Sequence, residues 1–243
     1  GKLTDVVLGY DDPEAYFGDG PCAGKTPGRY ANRIANGHFS LDGKVYDLPV
    51  NNGPNHLHGG PDGYQNRIWD CTTEGDNRVV FTLDSADGDA GYPGNLHASV
   101  TYTFDDDNAL AISYEAQADA PTVVNFTNHA YFNLDGHDAG SCLGQTLKMN
   151  CSRWLPTDDT LIPLAGTPMD FTSPHTLGER IMDDFAALKY GKGYDNCWMV
   201  DDYDGTMKVV AELEGVNSEH KLVVSTDQPA AQVYTGNWLD GCP

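Results

Sequence analysis

Two stretches of the chain combine side chains that can transfer protons with backbone suited to close contact with a ligand. Residues 50–63 read Val-Asn-Asn-Gly-Pro-Asn-His-Leu-His-Gly-Gly-Pro-Asp-Gly and include His58. Residues 125–134 read Asn-Phe-Thr-Asn-His-Ala-Tyr-Phe-Asn-Leu and include His129. Because histidine titrates near neutral pH, we interpret both histidines as candidates for general acid–base chemistry.

Each stretch also has an interpretation that needs no ligand. Composition alone makes residues 50–63 a polar surface loop, since Asn, Gly, Pro and Asp are typical of turns. His129 equally suits a structural histidine that is hydrogen-bonded within a strand. The ligand interpretation rests on Gly59 and Gly60, which would let a small molecule approach the backbone beside His58. Asn and His side chains suit the dense hydroxyl groups of a sugar.

Three further stretches place amides or charged groups where a sugar could be held. Residues 28–37 contain Asn32 and Arg33 side by side. On an extended segment one of these would face a site while the other anchors structure, unless both are surface residues. Residues 193–196 and 232–237 each set a carboxylate or an amide beside a tyrosine. That pairing suits both the hydroxyl groups and the faces of sugars.

Other chemistries have weaker support. His56 and His58 would share one face of an extended segment, but a zinc site needs a third ligand that nothing in the sequence identifies, so we expect no metal. Residues 84–89 resemble only a fragment of a calcium loop. Neither a Gly-x-Ser-x-Gly motif nor a phosphate-binding glycine loop is present. Carboxylates are so abundant that a glycosidase pair stays open.

The strongly negative net charge of the chain limits the classes of molecule that it can bind. Asp and Glu total 36 against 14 Lys and Arg in 243 residues, which gives a formal net charge of -22. Such a chain repels phosphate backbones and anionic lipids, so we expect a neutral small molecule rather than nucleic acid, a membrane or a sugar phosphate. No apolar run approaches the ~18 residues of a membrane span. The six cysteines show no repeated spacing and are expected to be reduced. No sequence pattern indicates an oligomeric state.

Short alternating runs predict a β-rich domain. The clearest run, residues 39–48, predicts a hairpin turning at Asp42-Gly43. Its apolar face would contain Phe39, Leu41, Tyr46 and Leu48. A second hairpin is predicted to join residues 98–104 to residues 110–114. The other predicted strands are residues 6–10, 79–83, 147–151, 209–213, 222–225 and 232–234.

Helical spacing is confined to residues 177–188, where we predict one short helix. No internal repeat, linker or shift in composition marks a boundary. The pattern therefore predicts a single domain of packed antiparallel sheets over residues 1–243.

Taken together and in this order, the motifs resemble the aldose 1-epimerase family, also called galactose mutarotases. The resemblance covers essentially the whole chain. It rests on Gly-Arg-Tyr-Ala-Asn-Arg-Ile-Ala at 28–35, Asn-His-Leu-His-Gly-Gly at 55–60, Gly-Tyr-Pro-Gly at 91–94, Thr-Asn-His-Ala-Tyr-Phe-Asn-Leu at 127–134, Gly-Tyr-Asp-Asn at 193–196 and Gln-Val-Tyr-Thr-Gly-Asn at 232–237.

The resemblance implies an all-β fold, the galactose mutarotase-like β-supersandwich. It implies that the protein interconverts the α and β anomers of a neutral hexose by acid–base ring opening, without a cofactor. By similarity, His129 is the general acid that protonates the ring oxygen, and His58 contacts the sugar near the reacting centre. The residues that would bind sugar hydroxyl groups are Asn32, Arg33, Tyr131, Asp195 and Gln232.

The chain departs from the family pattern at both ends. The family's general base is a Glu on a segment after the Tyr-Thr-Gly-Asn stretch, whereas this sequence stops at Pro243. We therefore expect residues 1–243 to lack N-terminal strands and a C-terminal segment. The alternatives are a non-catalytic sugar-binding or regulatory module on the same fold and, third, a glycosidase or lyase. The cytoplasm is the default location, and a secreted or periplasmic one applies if a signal peptide precedes Gly1.

Overall fold

A computed structural model of the chain describes residues 3–18, 20–155 and 169–239. The chain forms two compact units. The continuous unit is Lys25–His129, and the discontinuous unit combines Gly1–Gly24 with Ala130–Pro243. The single domain over residues 1–243 stays a prediction.

The continuous unit contains eight strands. They are β1 (Arg33–Ile34), β2 (His38–Leu41), β3 (Lys44–Asp47), β4 (His56–Leu57), β5 (Asp70–Glu74), β6 (Arg78–Ser85), β7 (Leu96–Phe104) and β8 (Leu110–Ala118). Strands β5 to β8 form one four-stranded sheet in sequence order, while β1 pairs with β4 and β2 pairs with β3. The short β1–β4 pairing matters most for the candidate site, because it sets Arg33 opposite Leu57 and Ile34 opposite His56.

The β2–β3 hairpin confirms the first predicted turn. Asp42 and Gly43 have φ angles of 51° and 78°, the left-handed values that a two-residue type I′ turn requires. Phe39 pairs with Tyr46, and their stacked rings have centroids 5.3 Å apart. The second predicted hairpin is confirmed as β7 and β8. Strand β7 begins two residues before the predicted strand, and β8 ends four residues after it.

The described residues of the discontinuous unit form seven strands and two short α-helices. They are β9 (Thr146–Met149), β10 (Arg153–Leu155), β11 (His175–Thr176), α1 (Leu177–Arg180), α2 (Ala186–Gly191), β12 (Asp195–Met199), β13 (Lys208–Glu214), β14 (Lys221–Thr226) and β15 (Ala230–Tyr234). Its two sheets have the strand orders β11-β9-β13-β14 and β10-β12-β15. Within the described ranges, all pairings between these strands are antiparallel.

An aromatic core lies against one face of β12. The rings of Trp154 and Trp198 stack at 6.0 Å, and Tyr194 meets Trp198 edge-on. These three side chains are at most 1% exposed. Because side chains alternate along a strand, burying Trp198 leaves Asp195 and Cys197 on the opposite, half-buried face of β12. The apolar core therefore decides which face presents the Asp195 carboxylate.

Two predicted elements differ from the structure. The helix predicted at residues 177–188 is two short helices, since Phe185 has extended backbone angles and begins α2 as its N-cap. The acidic pair Asp183-Asp184 lies in the break, where such residues favour turns over helix. Residues 6–10 form no strand and make only an isolated bridge from Val7 to Phe132.

The predicted fold class is confirmed: the described residues form antiparallel sheets with two short α-helices. The cysteines at 22, 71, 142, 151 and 197 are free thiols, and Cys242 lies outside the described residues. In the part of the chain that the structure describes, no helix has the length and apolar character needed to span a bilayer.

Candidate active site

His58 directly follows strand β4 in the continuous unit. Its backbone N–H donates to the carbonyl of Asn32 at 3.1 Å. Both residues then adopt left-handed backbone, with φ of 54° at His58 and 68° at Asn32, so the β1–β4 pairing ends here. Gly59 follows with φ of 80°, and a Cβ there would lie 1.7 Å from the carbonyl oxygen of Gly28. Only glycine permits this close approach, which sets the path of the chain after His58.

The ring of His58 is held in one tautomer. The backbone N–H of Asn32 donates to Nδ1 of His58 at 3.0 Å, so Nδ1 is an acceptor and a neutral ring carries its proton on Nε2. Burial, assisted by the charges of His129 and Arg33, lowers the pKa of His58 to about 3. His58 is therefore neutral at physiological pH, with Nε2–H as a hydrogen-bond donor.

We expect the His58 ring of the folded protein to stay neutral, with its proton on Nε2, from about pH 8 down to about pH 5. Long-range proton–nitrogen correlation spectra of the imidazole nitrogens report both protonation and tautomer. A ring that takes up a proton above about pH 6 in the folded state would contradict the assignment.

The same depressed pKa makes stability depend on pH. The unfolded ring gains a proton near pH 6.5 and the folded ring only near 3, so the free energy of unfolding falls as the pH drops through this interval. Between pH 7 and pH 4.5 the wild type should lose about 2.5 kcal/mol more than a His58→Asn variant. Denaturant unfolding of both proteins at the two pH values measures this difference.

His129 is the last residue of the continuous unit and lies next to His58. Its backbone N–H donates to the carbonyl of Lys25 at 3.0 Å, and the side chain of Asn128 donates to the hydroxyl of Tyr102 at 3.1 Å. The ring centroids of His58 and His129 are 5.4 Å apart, and the ring planes meet at 87°. Both side chains are half-buried. Two histidines from distant parts of the sequence are thus adjacent, as expected.

Asn32 and Arg33 lie beside this pair. Nε of Arg33 donates to Oδ1 of Asn52 at 3.0 Å, which holds the guanidinium where its charge acts on His58. Oδ1 of Asn32 accepts the backbone N–H of Arg33 at 2.8 Å, so its Nδ2 is the group with protons to donate. We did not predict the role of Asn52. Its only signal was its place in the polar 50–63 stretch.

His56 does not share the environment of His58. Its ring is fully buried, Nδ1 donates to the carbonyl of Pro49 at 2.7 Å, and Nε2 accepts from the hydroxyl of Tyr92 at 2.7 Å. Burial lowers the pKa of His56, which the Pro49 carbonyl partly offsets. The expectation of one extended segment with both rings on one face was wrong, because His58 has left-handed backbone. Within the described ranges, no three His, Cys, Asp or Glu side chains cluster as a metal site.

The buried side chain and the backbone of Arg29 connect the segments that carry Asn32 and His129. The guanidinium of Arg29 is 1% exposed and donates to the carbonyls of Pro93 at 2.9 Å and Ser85 at 3.1 Å. The carbonyl of Arg29 accepts the N–H of Asn125 at 2.9 Å, and the carbonyl of Asn125 accepts the N–H of Ala31 at 2.8 Å. The segment leading to Asn32 is therefore fastened to the segment leading to His129. Pro93 belongs to the Gly-Tyr-Pro-Gly stretch, so Arg29 also connects that stretch to these segments.

Asp195 and Gln232 meet in the discontinuous unit. Asp195 begins β12 and pairs with Tyr234, while Gln232 in β15 pairs with Cys197. Residues two apart on neighbouring strands share a face, and Nε2 of Gln232 donates to Oδ1 of Asp195 at 2.8 Å. Gln232 is exposed and Asp195 is half-buried. A carboxylate and an amide are thus held together in a geometry suited to sugar hydroxyl groups.

The turn before Asp195 is held by hydrogen bonds to the residues that follow β15. The carbonyl of Tyr194 accepts from the backbone N–H of Thr235 at 3.1 Å and from Nδ2 of Asn237 at 2.8 Å. Gly193 has φ of 147°, and a Cβ there would lie 2.4 Å from Oδ1 of Asn237. This packing explains why glycine precedes Tyr194-Asp195 and why Thr-Gly-Asn follows Tyr234.

Tyr131 has a more restricted role than the sequence indicated. Its hydroxyl donates to the carbonyl of Pro21 at 2.8 Å, and its ring meets the ring of Tyr234 edge-on at 5.8 Å. Since the hydroxyl proton is already used, the oxygen can only accept from a ligand. The seven candidate residues therefore divide between the two units. Four of them lie together in the continuous unit: Asn32, Arg33, His58 and His129. The discontinuous unit contains the hydrogen-bonded pair Asp195 and Gln232 and also Tyr131.

Comparisons with known proteins agree with the motifs. A family model described as aldose 1-epimerase matches residues 1–242. The chain is 39% identical to the aldose 1-epimerase of Escherichia coli (strain K12), an alignment that covers 100% of this chain and 71% of that protein. It is 40% identical to the galactose mutarotase of Rattus norvegicus, with 99% of this chain and 70% of that protein covered.

A solved structure shows the same fold. The galactose 1-epimerase from Lactobacillus acidophilus NCFM is 30% identical in sequence, and its structure aligns with a TM-score of 0.85. The alignment covers 97% of this chain and 70% of that one.

Proposed function

Since this chain belongs to the aldose 1-epimerase family, we propose that it interconverts the α and β anomers of a neutral hexose such as galactose or glucose. The observation that carries the proposal is the edge-to-face pair of His58 and His129, with His58 held neutral. Opening a pyranose requires one proton to leave the C1 hydroxyl and another to reach the ring oxygen in a single confined site. Two adjacent imidazoles, one of which is held neutral, suit that demand.

His129 is the general acid in this proposal. Burial and neighbouring charges keep His58 neutral until the pH approaches 3, so His58 does not serve as the acid and the proposal gives that role to His129. His129 delivers a proton to the ring oxygen as the C1–O5 bond breaks. Rotation about C1–C2 then exposes the other face of the aldehyde, and closure returns the proton to His129. The acid is thereby restored on each turnover.

His58 acts as a fixed hydrogen-bond donor. Its Nδ1 is occupied by the backbone of Asn32, so it cannot accept the proton of the C1 hydroxyl through that atom. Its Nε2–H can stabilise negative charge as it develops on a substrate oxygen. The base that takes the proton of the C1 hydroxyl group is therefore another group, and the family pattern assigns that role to a glutamate after the Tyr-Thr-Gly-Asn stretch.

The binding roles rest on which donors and acceptors each side chain has left. Nδ2 of Asn32 and the guanidinium of Arg33 donate to sugar hydroxyl oxygens, and Tyr131 accepts. The Asp195–Gln232 pair both accepts and donates, which suits neighbouring hydroxyl groups. Location in the cytoplasm stays a prediction.

Polarimetry tests the activity. Freshly dissolved α-galactose and α-glucose reach their equilibrium rotation slowly in buffer, and the protein should shorten this approach in proportion to its concentration. A rotation that decays at the buffer rate for both sugars would remove the catalytic proposal and leave sugar binding alone. No observation favours that non-catalytic alternative.

Replacing Asp195 with Asn should weaken sugar binding. The change removes the negative charge but leaves an oxygen that accepts from Gln232, so the fold should persist. Loss of a charge-assisted hydrogen bond should raise the KM for galactose about 10- to 100-fold, with a smaller change in kcat.

A matched control for this variant is Asp227→Asn. Asp227 also accepts from a glutamine amide, that of Gln228 at 2.8 Å, but on an exposed turn of the same unit. The control should keep the wild-type KM. Equal changes in both variants would assign the effect to loss of surface charge rather than to sugar binding.

A further inference from the structure

A serine, a histidine and a glutamate form a chain of hydrogen bonds within the discontinuous unit, apart from the groups assigned to sugar chemistry. The hydroxyl of Ser173 lies 3.1 Å from Nε2 of His175, and Nδ1 of the same ring lies 2.9 Å from Oε2 of Glu179. Because an ionised carboxylate only accepts, Nδ1 carries the proton of the neutral ring, and Nε2 accepts from the hydroxyl of Ser173. A nucleophile, a base and an orienting carboxylate thus follow one another in the order that activates a serine.

The local backbone determines where the histidine and the glutamate lie. His175 lies in β11, and its ring meets the ring of the fully buried Phe171 edge-on at 6.2 Å. The chain then enters α1 at Leu177, whose N–H donates to the carbonyl of Gln145 at 2.9 Å. This turn brings Glu179, four residues after His175, next to the imidazole. The ring is therefore held between an aromatic core residue and a carboxylate.

The chain of hydrogen bonds is accessible at its serine end. Ser173 is exposed, whereas the side chain of His175 is only 19% exposed. A substrate must approach the nucleophilic oxygen, and the base must keep its orientation while it does so. An exposed hydroxyl bonded to a half-buried imidazole meets both requirements for a small molecule.

Arg180 places a positive charge at the same point. Its Nη1 donates to the carbonyl of Asp170 at 3.0 Å, and its Nη2 lies 3.5 Å from Nε2 of His175. The guanidinium therefore lies beside the contact between Ser173 and His175. When a serine attacks an ester, the carbonyl oxygen becomes negative, and a cation fixed nearby stabilises that charge. The four side chains together suit acyl transfer.

We infer that Ser173, His175 and Glu179 form a second active site, which hydrolyses small carboxylic esters. Oγ of Ser173 attacks the carbonyl carbon of the ester while its proton passes to Nε2 of His175. The bond from this carbon to the alcohol oxygen then breaks, and the alcohol leaves with that proton. Water next attacks the acyl-serine and gives a proton to Nε2. The carboxylic acid is released as Oγ of Ser173 regains the proton.

The test is hydrolysis of p-nitrophenyl acetate, followed as release of p-nitrophenolate. The wild type should be faster than free imidazole at the same concentration. Mass spectrometry after brief exposure and acid quenching should find an acetyl group on Ser173. Ser173→Ala should lose the acceleration, because general base catalysis has no nucleophile left to activate. Ser225→Ala, which removes another exposed serine hydroxyl of the same unit, should keep the wild-type rate.

Two further variants separate the base from the residue that positions it. His175→Gln should abolish acetylation of Ser173. Glu179→Gln should slow it about 10- to 100-fold, because an amide can donate to Nδ1 and move the ring proton to Nε2. Proton–nitrogen correlation spectra of His175 detect this change of tautomer, which loss of a merely structural contact would not produce. His97→Gln, which removes an exposed histidine paired with Asp84, should change neither result.

Three results would overturn the second active site: hydrolysis by the wild type no faster than by free imidazole, acetylation only at residues other than Ser173, or an unchanged rate in Ser173→Ala. This site is independent of the proposed mutarotation. Galactose mutarotation by Ser173→Ala should therefore stay within about twofold of wild type. Polarimetry and nitrophenolate release judge the two activities separately.

Discussion

We expect a His129→Gln variant to lose about 100- to 10,000-fold of the kcat/KM for galactose mutarotation, the range typical of removing a general acid. Glutamine keeps a hydrogen-bond donor at the position but cannot release and regain a proton during a turnover. Polarimetric progress curves at several sugar concentrations measure the loss. Because the missing group acts only as the ring opens, kcat should fall more than KM rises.

The control for this variant is His97→Gln in the same unit. His97 is exposed and pairs with Asp84 at 2.6 Å, so its loss should leave the rate unchanged. A His129→Gln rate within about threefold of wild type would show that the ring oxygen receives its proton from another group, because general acids contribute far more than that.

Replacing His58 with Asn should cost about 100-fold in kcat, the scale seen when a donor aimed at developing charge is removed. Asparagine is chosen because it tolerates the left-handed backbone at this position better than most residues. Its shorter amide does not extend as far as Nε2 of the imidazole. The KM should change little, since the donor acts on charge that develops in the transition state. Polarimetry separates the two constants.

A second substitution distinguishes this role from simple support of the loop. His58→Gln places an amide N–H nearer to the former Nε2 position, so it should recover part of the rate lost in His58→Asn. A structural role would instead make both variants equally unstable and equally inactive. The double variant His58→Asn/His129→Gln should lose little more than His129→Gln alone, because residues that act in one step are not additive.

Much of the local structure followed from the sequence because its causes are local. The Asp42-Gly43 turn needs two residues that tolerate left-handed φ, and the alternating run around it needs only period two. The β7–β8 hairpin follows from the same rules. The residue types of the candidate site were also visible in the motifs, since histidines, amides and a carboxylate stand among glycines and aromatics.

Helix continuity between residues 177 and 188 could not be predicted from spacing. Ile181 and Leu188 do enter the core of the discontinuous unit, as helical spacing indicated. The backbone nevertheless breaks at Phe185, whose ring packs edge-on against Trp154. Apolar spacing reports which side chains are buried, and it does not report whether the backbone between them is one helix.

The sequence by itself determined the class of sheet, the turns and the set of groups available for chemistry. Only the tertiary structure decided which of those groups meet and in what protonation state. The adjacency of His58 and His129 depends on hydrogen bonds between segments far apart in the chain, and the tautomer of His58 depends on a backbone N–H of Asn32. Such pairings are set by burial and strand register, which no local pattern encodes.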